Sequence, residues 1–163
     1  WRHYSNNADK NNWESTRDYI YQRYQLNSHD GYQYHDPFEA GINFAASLVS
    51  LFYGEGDIKR TIQIGTLTGW DSDNPTATWG GLLGFLYGYH DIVETFELTS
   101  VSDNYWIHRT RRNFPDHTPN QDGEDTLLKM AERMSQITQR MMIAHKFGRV
   151  DSNSDLWFLF LQE

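Results

Sequence analysis

Apolar residues recur at helical spacing in five stretches of the chain, separated by polar and glycine-bearing breaks. Residues 1–12 are polar and read as an arm or a severed connection. Trp13, Ile20, Tyr21 and Tyr24 then predict a helix over residues 13–26. Asp36-Pro37-Phe38-Glu39 places an N-cap acid, a proline at the first helical position and a Glu at the third. A helix is predicted from there to about Tyr53, stopped by Gly54, with Phe38, Ile42, Ala45, Val49 and Phe52 facing inward. Asp57 is the expected cap of a helix reaching about Leu67, with Ile58, Ile62 and Gly65 inward; the β-branched run Thr61–Ile64 also suits a strand. Asn74-Pro75 repeats the cap-then-proline order and opens a helix to Tyr87, ended by Gly88. The longest helix is predicted over 125–147, with Leu127, Met130, Met134, Ile137 and Met141 on one face as core filling. The apolar tail from Leu156 to Gln162 is a helix or a strand packed against that core. The pattern predicts a mostly α-helical single domain over residues 1–163.

Composition supports a folded chain. Its 163 residues can enclose a core, and aromatic residues make up 15%. That aromatic share outweighs the mean hydropathy of −0.74 as an argument about order. The net charge of −8 argues against a phosphate-tracking surface, so nucleic acid is not an expected partner. Arg109, Arg111 and Arg112 form the one basic cluster, read as solvated surface or carboxylate partners. No apolar run is long enough for a membrane span, so no membrane partner is expected. The absence of cysteine excludes disulfides, zinc–thiolate sites and cysteine nucleophiles, and leaves the compartment open. The seven histidines are scattered without zinc-ligand spacing.

The stretch that calls for chemistry is Gly69-Trp70-Asp71-Ser72-Asp73-Asn74-Pro75-Thr76. A cap explains one polar residue here, not three. Asp71 and Asp73 repel one another, and the nearest basic residues in sequence are Arg60 and Arg109. A helix dipole offsets only about 0.3–1 kcal/mol for each exposed acid. A divalent cation is the natural counter-charge, since carboxylate oxygens are hard ligands for Mg²⁺, Ca²⁺ or Mn²⁺. An EF-hand loop counted from Asp71 fails, because Thr76 and Leu82 stand where Gly and Glu are required. A phosphatase of the haloacid-dehalogenase type also opens on Asp-x-Asp, but it needs a buried strand just before the first acid. Asn43, on the predicted 37–53 helix, is a capping or interhelical residue, or a partner for this loop.

The segment Ile62–Gly88, read as IQIGTLTGWDSDNPTATWGGLLGFLYG, resembles the C-terminal metal motif of the ADP-ribosylglycohydrolase superfamily, the relatives of dinitrogenase-reductase-activating glycohydrolase. The longer stretch from Ile42, and the later Ile107–Phe114, are similar to fungal members. The resemblance covers roughly residues 36–148. It implies an all-α orthogonal helical bundle and a cleft holding two divalent ions, usually Mg²⁺, with Ca²⁺ or Mn²⁺ as substitutes. It also implies hydrolysis of a bond at ribose C1 in a small ADP-ribose-like substrate. By the same resemblance Asp71 and Asp73 are the catalytic, metal-binding acids. Asn74 stands where many members have Thr, with its amide oxygen as a substitute ligand, and Trp70 lies at the substrate cleft.

The family's other half-site, an early Thr-Asp-Asp-type segment, has no counterpart here. The resemblance therefore implies that this chain is the C-terminal portion of a longer or cleaved protein. A second chain or an N-terminal half would supply the remaining metal ligands across a partly apolar face. The alternative expectation is a non-catalytic metal- or ligand-binding protein that retains the fold.

Overall fold

The computed structural model describes residues 1–27, 31, 33–105, 125–151, 153–154 and 156–160. The all-α expectation holds: helices carry the architecture, and strands among the described residues are confined to two short antiparallel pairs. The chain forms two compact units, residues 1–99 and 100–163.

The first unit holds α1 (Arg2–Asn6), α2 (Glu14–Tyr21, continued by a π-helical turn over Gln22–Leu26), α3 (Ala40–Gly54), α4 (Ile58–Leu67), α5 (Asp73–Tyr87) and α6 (Tyr89–Thr95). Its core gathers Ile20, Ile42, Val49, Tyr53 and Ile64, with Tyr4, Trp13, Tyr24, Tyr34, Ala45 and Trp70 packed around them. α3 is the central element. It carries Ile42, Ala46, Val49 and Tyr53, all buried, and packs against α2, α4 and α5.

The start of α4 is as expected: the Asp57 side chain accepts from the Arg60 N–H at 2.8 Å. Thr61–Ile64 is helical rather than extended, because Thr61 and Ile64 fall on the buried face of α4. The turn between α3 and α4 differs in its means. Gly54 is the last residue of α3, and Glu55 takes the left-handed conformation at φ 51°. Gly54 serves close approach instead, since a Cβ there would lie 1.9 Å from Thr61 Oγ1.

The beginning of α3 departs from prediction. Asp36 accepts from the Phe38 N–H at 2.7 Å, which folds 36–39 into a turn, and α3 starts at Ala40. Phe38 is thereby left 73% exposed instead of joining the inward stripe. α5 starts earlier than predicted, at Asp73, so Asn74 is within its first turn and is not its cap. Pro75 is tolerated there because the N–H groups of a first turn have no intrahelical partner to lose. Of the α5 glycines, Gly80 meets Ile62 Cδ1 at 3.3 Å, while Gly81 and Gly84 face open space. Gly88 ends the helix at φ 82°, as expected.

Residues 1–12 are no loose arm. Tyr4 packs edge-on against Tyr53 with centroids 5.0 Å apart, and Trp1 lies 5.3 Å from Phe52. Asn7 Nδ2 donates to the Tyr53 hydroxyl at 2.8 Å. Sequence periodicity misses this because two aromatics in a polar stretch carry no helical stripe.

The second unit pairs β1 (Asn104–Tyr105) with β2 (Asp125–Thr126), continues into α7 (Leu127–Ala144), and ends in a hairpin of β3 (Gly148–Asp151) and β4 (Leu156–Leu159). Thr126 caps α7 by accepting from the Lys129 N–H at 3.1 Å. The predicted apolar face of α7 is not core: Leu127, Met134, Ile137 and Met141 are exposed, and Met142 is the buried methionine. Of the tail, Leu156–Leu159 is a strand, with its register fixed by Gly148 opposite Leu159 and Asp151 opposite Leu156. The apolar side chains of residues 156–160 are exposed rather than buried in a core. Arg109, Arg111 and Arg112, the Ile107–Phe114 stretch, His29, His108 and His117 lie outside the described residues.

Candidate functional site

The loop 69–72 joins α4 to α5, and its shape follows from two successive positive φ angles, 99° at Gly69 and 55° at Trp70. Glycine adopts this conformation freely; for tryptophan it costs of order 1–2 kcal/mol. Neighbouring contacts hold Trp70 in place. Its indole N–H donates to Gln25 Oε1 at 2.8 Å, and its ring packs against the core. Just before the loop, Thr68 is buried, and its hydroxyl bonds the carbonyls of Ile64 and Gly65 at 2.9 and 2.8 Å. These bonds occupy carbonyls at the end of α4 and fix where the chain leaves it.

After Trp70 the backbone turns into α5. The Asp71 N–H donates to Asn43 Oδ1 at 3.0 Å, and the Asn74 N–H donates to the Asp71 carbonyl at 3.1 Å. α5 is secured to α3 by Trp79, whose indole N–H donates to the Ser47 carbonyl at 2.9 Å. Asp71 is half-buried, while Asp73 and Asn74 are exposed. The two carboxyl groups come within hydrogen-bonding reach of each other. That shared bond, then desolvation, then the charge of Asp73, holds the Asp71 carboxyl above the usual carboxylate range.

The structure brings Asp71 and Asp73 together at the N-terminal end of α5, with Asn74 adjacent in the first turn. Trp70 lines a groove of about 340 Å³ with Arg17, Asp18, Tyr21, Gln25, Thr68 and Gly69. Sequence reasoning left the role of Asn43 open, and the structure shows that it both spans the α3 start and contacts the loop.

These donors fit a hard divalent ion in kind, since carboxylate and amide oxygens are what Mg²⁺ and Ca²⁺ take. They fall short in number: such ions take six or more oxygens. Among the described residues no group of three or more His, Cys, Asp or Glu side chains could hold a metal.

The mostly helical fold, with an acid pair at a helix N-terminus behind a strained Gly-Trp turn, places the chain in the all-α class. The chain belongs to the ADP-ribosylglycohydrolase family, whose model matches residues 4–140. No curated protein and no solved structure matches the chain. Among the described residues no helix is long and apolar enough to cross a membrane.

Proposed function

We propose that this chain supplies one half of a two-metal site that hydrolyses ADP-ribosyl or related glycosidic bonds. The family makes glycohydrolysis the expected reaction class. The observation that carries the finer reading is the convergence of the Asp71 and Asp73 carboxyls, which leaves Asp71 with a raised affinity for a proton. A site that binds a proton between two acids is one in which a divalent cation would relieve the same repulsion.

Asp71 and Asp73 would hold Mg²⁺, or Mn²⁺ or Ca²⁺ in its place, with the Asn74 amide oxygen as a further ligand. Bound there, the ion would polarise the ribose and lower the pKa of an attacking water. The chain's own part is to hold the two carboxyl groups adjacent, Asp71 at the end of the loop and Asp73 in the first turn of α5. Trp70 would border the substrate beside the groove it lines.

The remaining ligands would come from a second chain or an N-terminal half. What supports this is the open face of α5, where Leu82, Phe85 and Leu86 are exposed next to the uncontacted Gly81 and Gly84. Glycines and apolar residues left open along one helix suit another element packing closely on it.

The test is hydrolysis of an ADP-ribosylated substrate in Mg²⁺ by the whole protein carrying Asp71→Asn or Asp73→Asn. Loss of activity with the fold intact supports the reading, and full activity in both variants ends it. The second reading is a non-catalytic metal- or ligand-binding protein that retains the fold, and the lack of a Thr-Asp-Asp-type segment in this sequence motivates it. Calorimetry with Mg²⁺, Ca²⁺ and ADP-ribose separates the two: heat from Ca²⁺ alone favours the second.

A further inference from the structure

Asn43 lies on α3, 28 residues before Asp71, and is 9% exposed. Its amide nitrogen donates to the carbonyls of Pro37 at 2.7 Å and Glu39 at 2.9 Å. Its Oδ1 accepts the Asp71 N–H at 3.0 Å. Two carbonyls on one side and an N–H on the other determine which way the amide faces, since the flipped group would set oxygen against oxygen and NH₂ against N–H. Among side chains of this length, only asparagine meets all three partners without adding charge.

From this geometry we infer that Asn43 is a positioning residue for the Asp71–Asp73 pair. The inference rests on the metal-binding reading of that pair given above. Asp71 is the first residue after the two left-handed positions, and the loop has one side-chain anchor on each side of its strained peptide. Trp70 is held through its indole by Gln25, and Asp71 through its backbone N–H by Asn43. Freed of the second anchor, the Asp71 backbone rotates and the carboxylates lose their fixed separation. Asn43 also supplies an oxygen close to the acid pair without placing a third negative charge there.

Two variants separate this role from simple support of the α3 start. Asn43→Asp keeps an acceptor for the Asp71 N–H and loses the donors to Pro37 and Glu39. Asn43→Leu loses both. The full chain is titrated with Mn²⁺, and exchange of the Asp71 amide hydrogen is followed by NMR in the metal-free protein. Asn43→Leu is expected to weaken Mn²⁺ binding and accelerate Asp71 exchange by about tenfold each, the worth of one buried hydrogen bond. Asn43→Asp should keep both within about threefold of wild type, its added charge favouring the cation. Equal losses in the two variants would show that Asn43 only supports α3 and overturn the inference, as would no change in Asn43→Leu. If wild type binds no Mn²⁺, the metal reading fails by itself, and Asp71 exchange in the two variants still decides whether Asn43 holds the loop. Should Asn43→Leu not fold, Asn43→Ala is measured in its place.

Discussion

The carboxyl groups of Asp71 and Asp73 come within hydrogen-bonding reach of each other at the start of α5, and Asp71 keeps its proton to higher pH as a result. Between the ordinary aspartate pKa and the raised one, the folded chain binds more protons than the unfolded chain. Stability therefore falls as pH rises through that window, and the penalty is complete at neutral pH. Asp71→Asn removes it. In chelator at pH 7 the variant should melt above wild type, and the gap should close below the ordinary aspartate range, where Asp71 is protonated in both states. A wild-type Tm equal to or above the variant's at pH 7 contradicts the pairing.

Gly54 and Gly81 should respond in opposite directions to alanine. A Cβ on Gly54 meets Thr61 Oγ1 at 1.9 Å and the Thr61 backbone at 2.9 Å, so α3 and α4 must separate. Gly54→Ala should cost about 1–3 kcal/mol, as overpacking does. Gly81 is helical with nothing within 4 Å of its Cβ position. Gly81→Ala should stabilise this chain by about 0.5–1 kcal/mol. Urea denaturation of both variants measures the contrast.

Tyr53 is fully buried, and its hydroxyl bonds Thr16 Oγ1 at 2.6 Å and accepts from Asn7 at 2.8 Å. Tyr53→Phe leaves the half-buried Asn7 amide and the buried Thr16 hydroxyl without this partner. A loss of about 1–3 kcal/mol is expected. Because Asn7 belongs to the docked N-terminal segment, limited proteolysis should cut residues 1–12 faster in the variant. Unchanged cleavage would mean that the aromatic contacts of Trp1 and Tyr4 hold the segment unaided.

Asp57→Ala should destabilise the first unit by about 0.5–2 kcal/mol through loss of the bond to the Arg60 N–H. Asn74→Ala should cost less, since Asn74 lies within α5 rather than at its cap. Equal losses in thermal melts would restore Asn74 to the capping role its sequence position suggests.

The local signals that proved legible share a property: partner and signal lie within one helical turn. Asp57 reaches the N–H three residues on, and Gly88 ends α5 through its own φ. Where a distant residue decides, the same grammar misleads. Asp36-Pro37 reads as a helix start, yet its aspartate closes a turn and Asn43 draws the Pro37 and Glu39 carbonyls onto α3. Gly54 reads as a stop by conformation and serves instead as a gap for Thr61.

By itself the sequence determined the helical class, the five main helical stretches and the family to which the chain belongs. Those follow from periodicity, capping and a motif of near neighbours, all of which are local. The tertiary structure decided that residues 1–12 dock on α3, that the apolar face of α7 lies exposed, and that Asn43 meets Asp71. Each of these joins residues distant in sequence or depends on what does not pack against a face. A linear pattern records which residues seek burial; only the folded chain determines which of them find it, and which side-chain amide meets a backbone N–H 28 residues away.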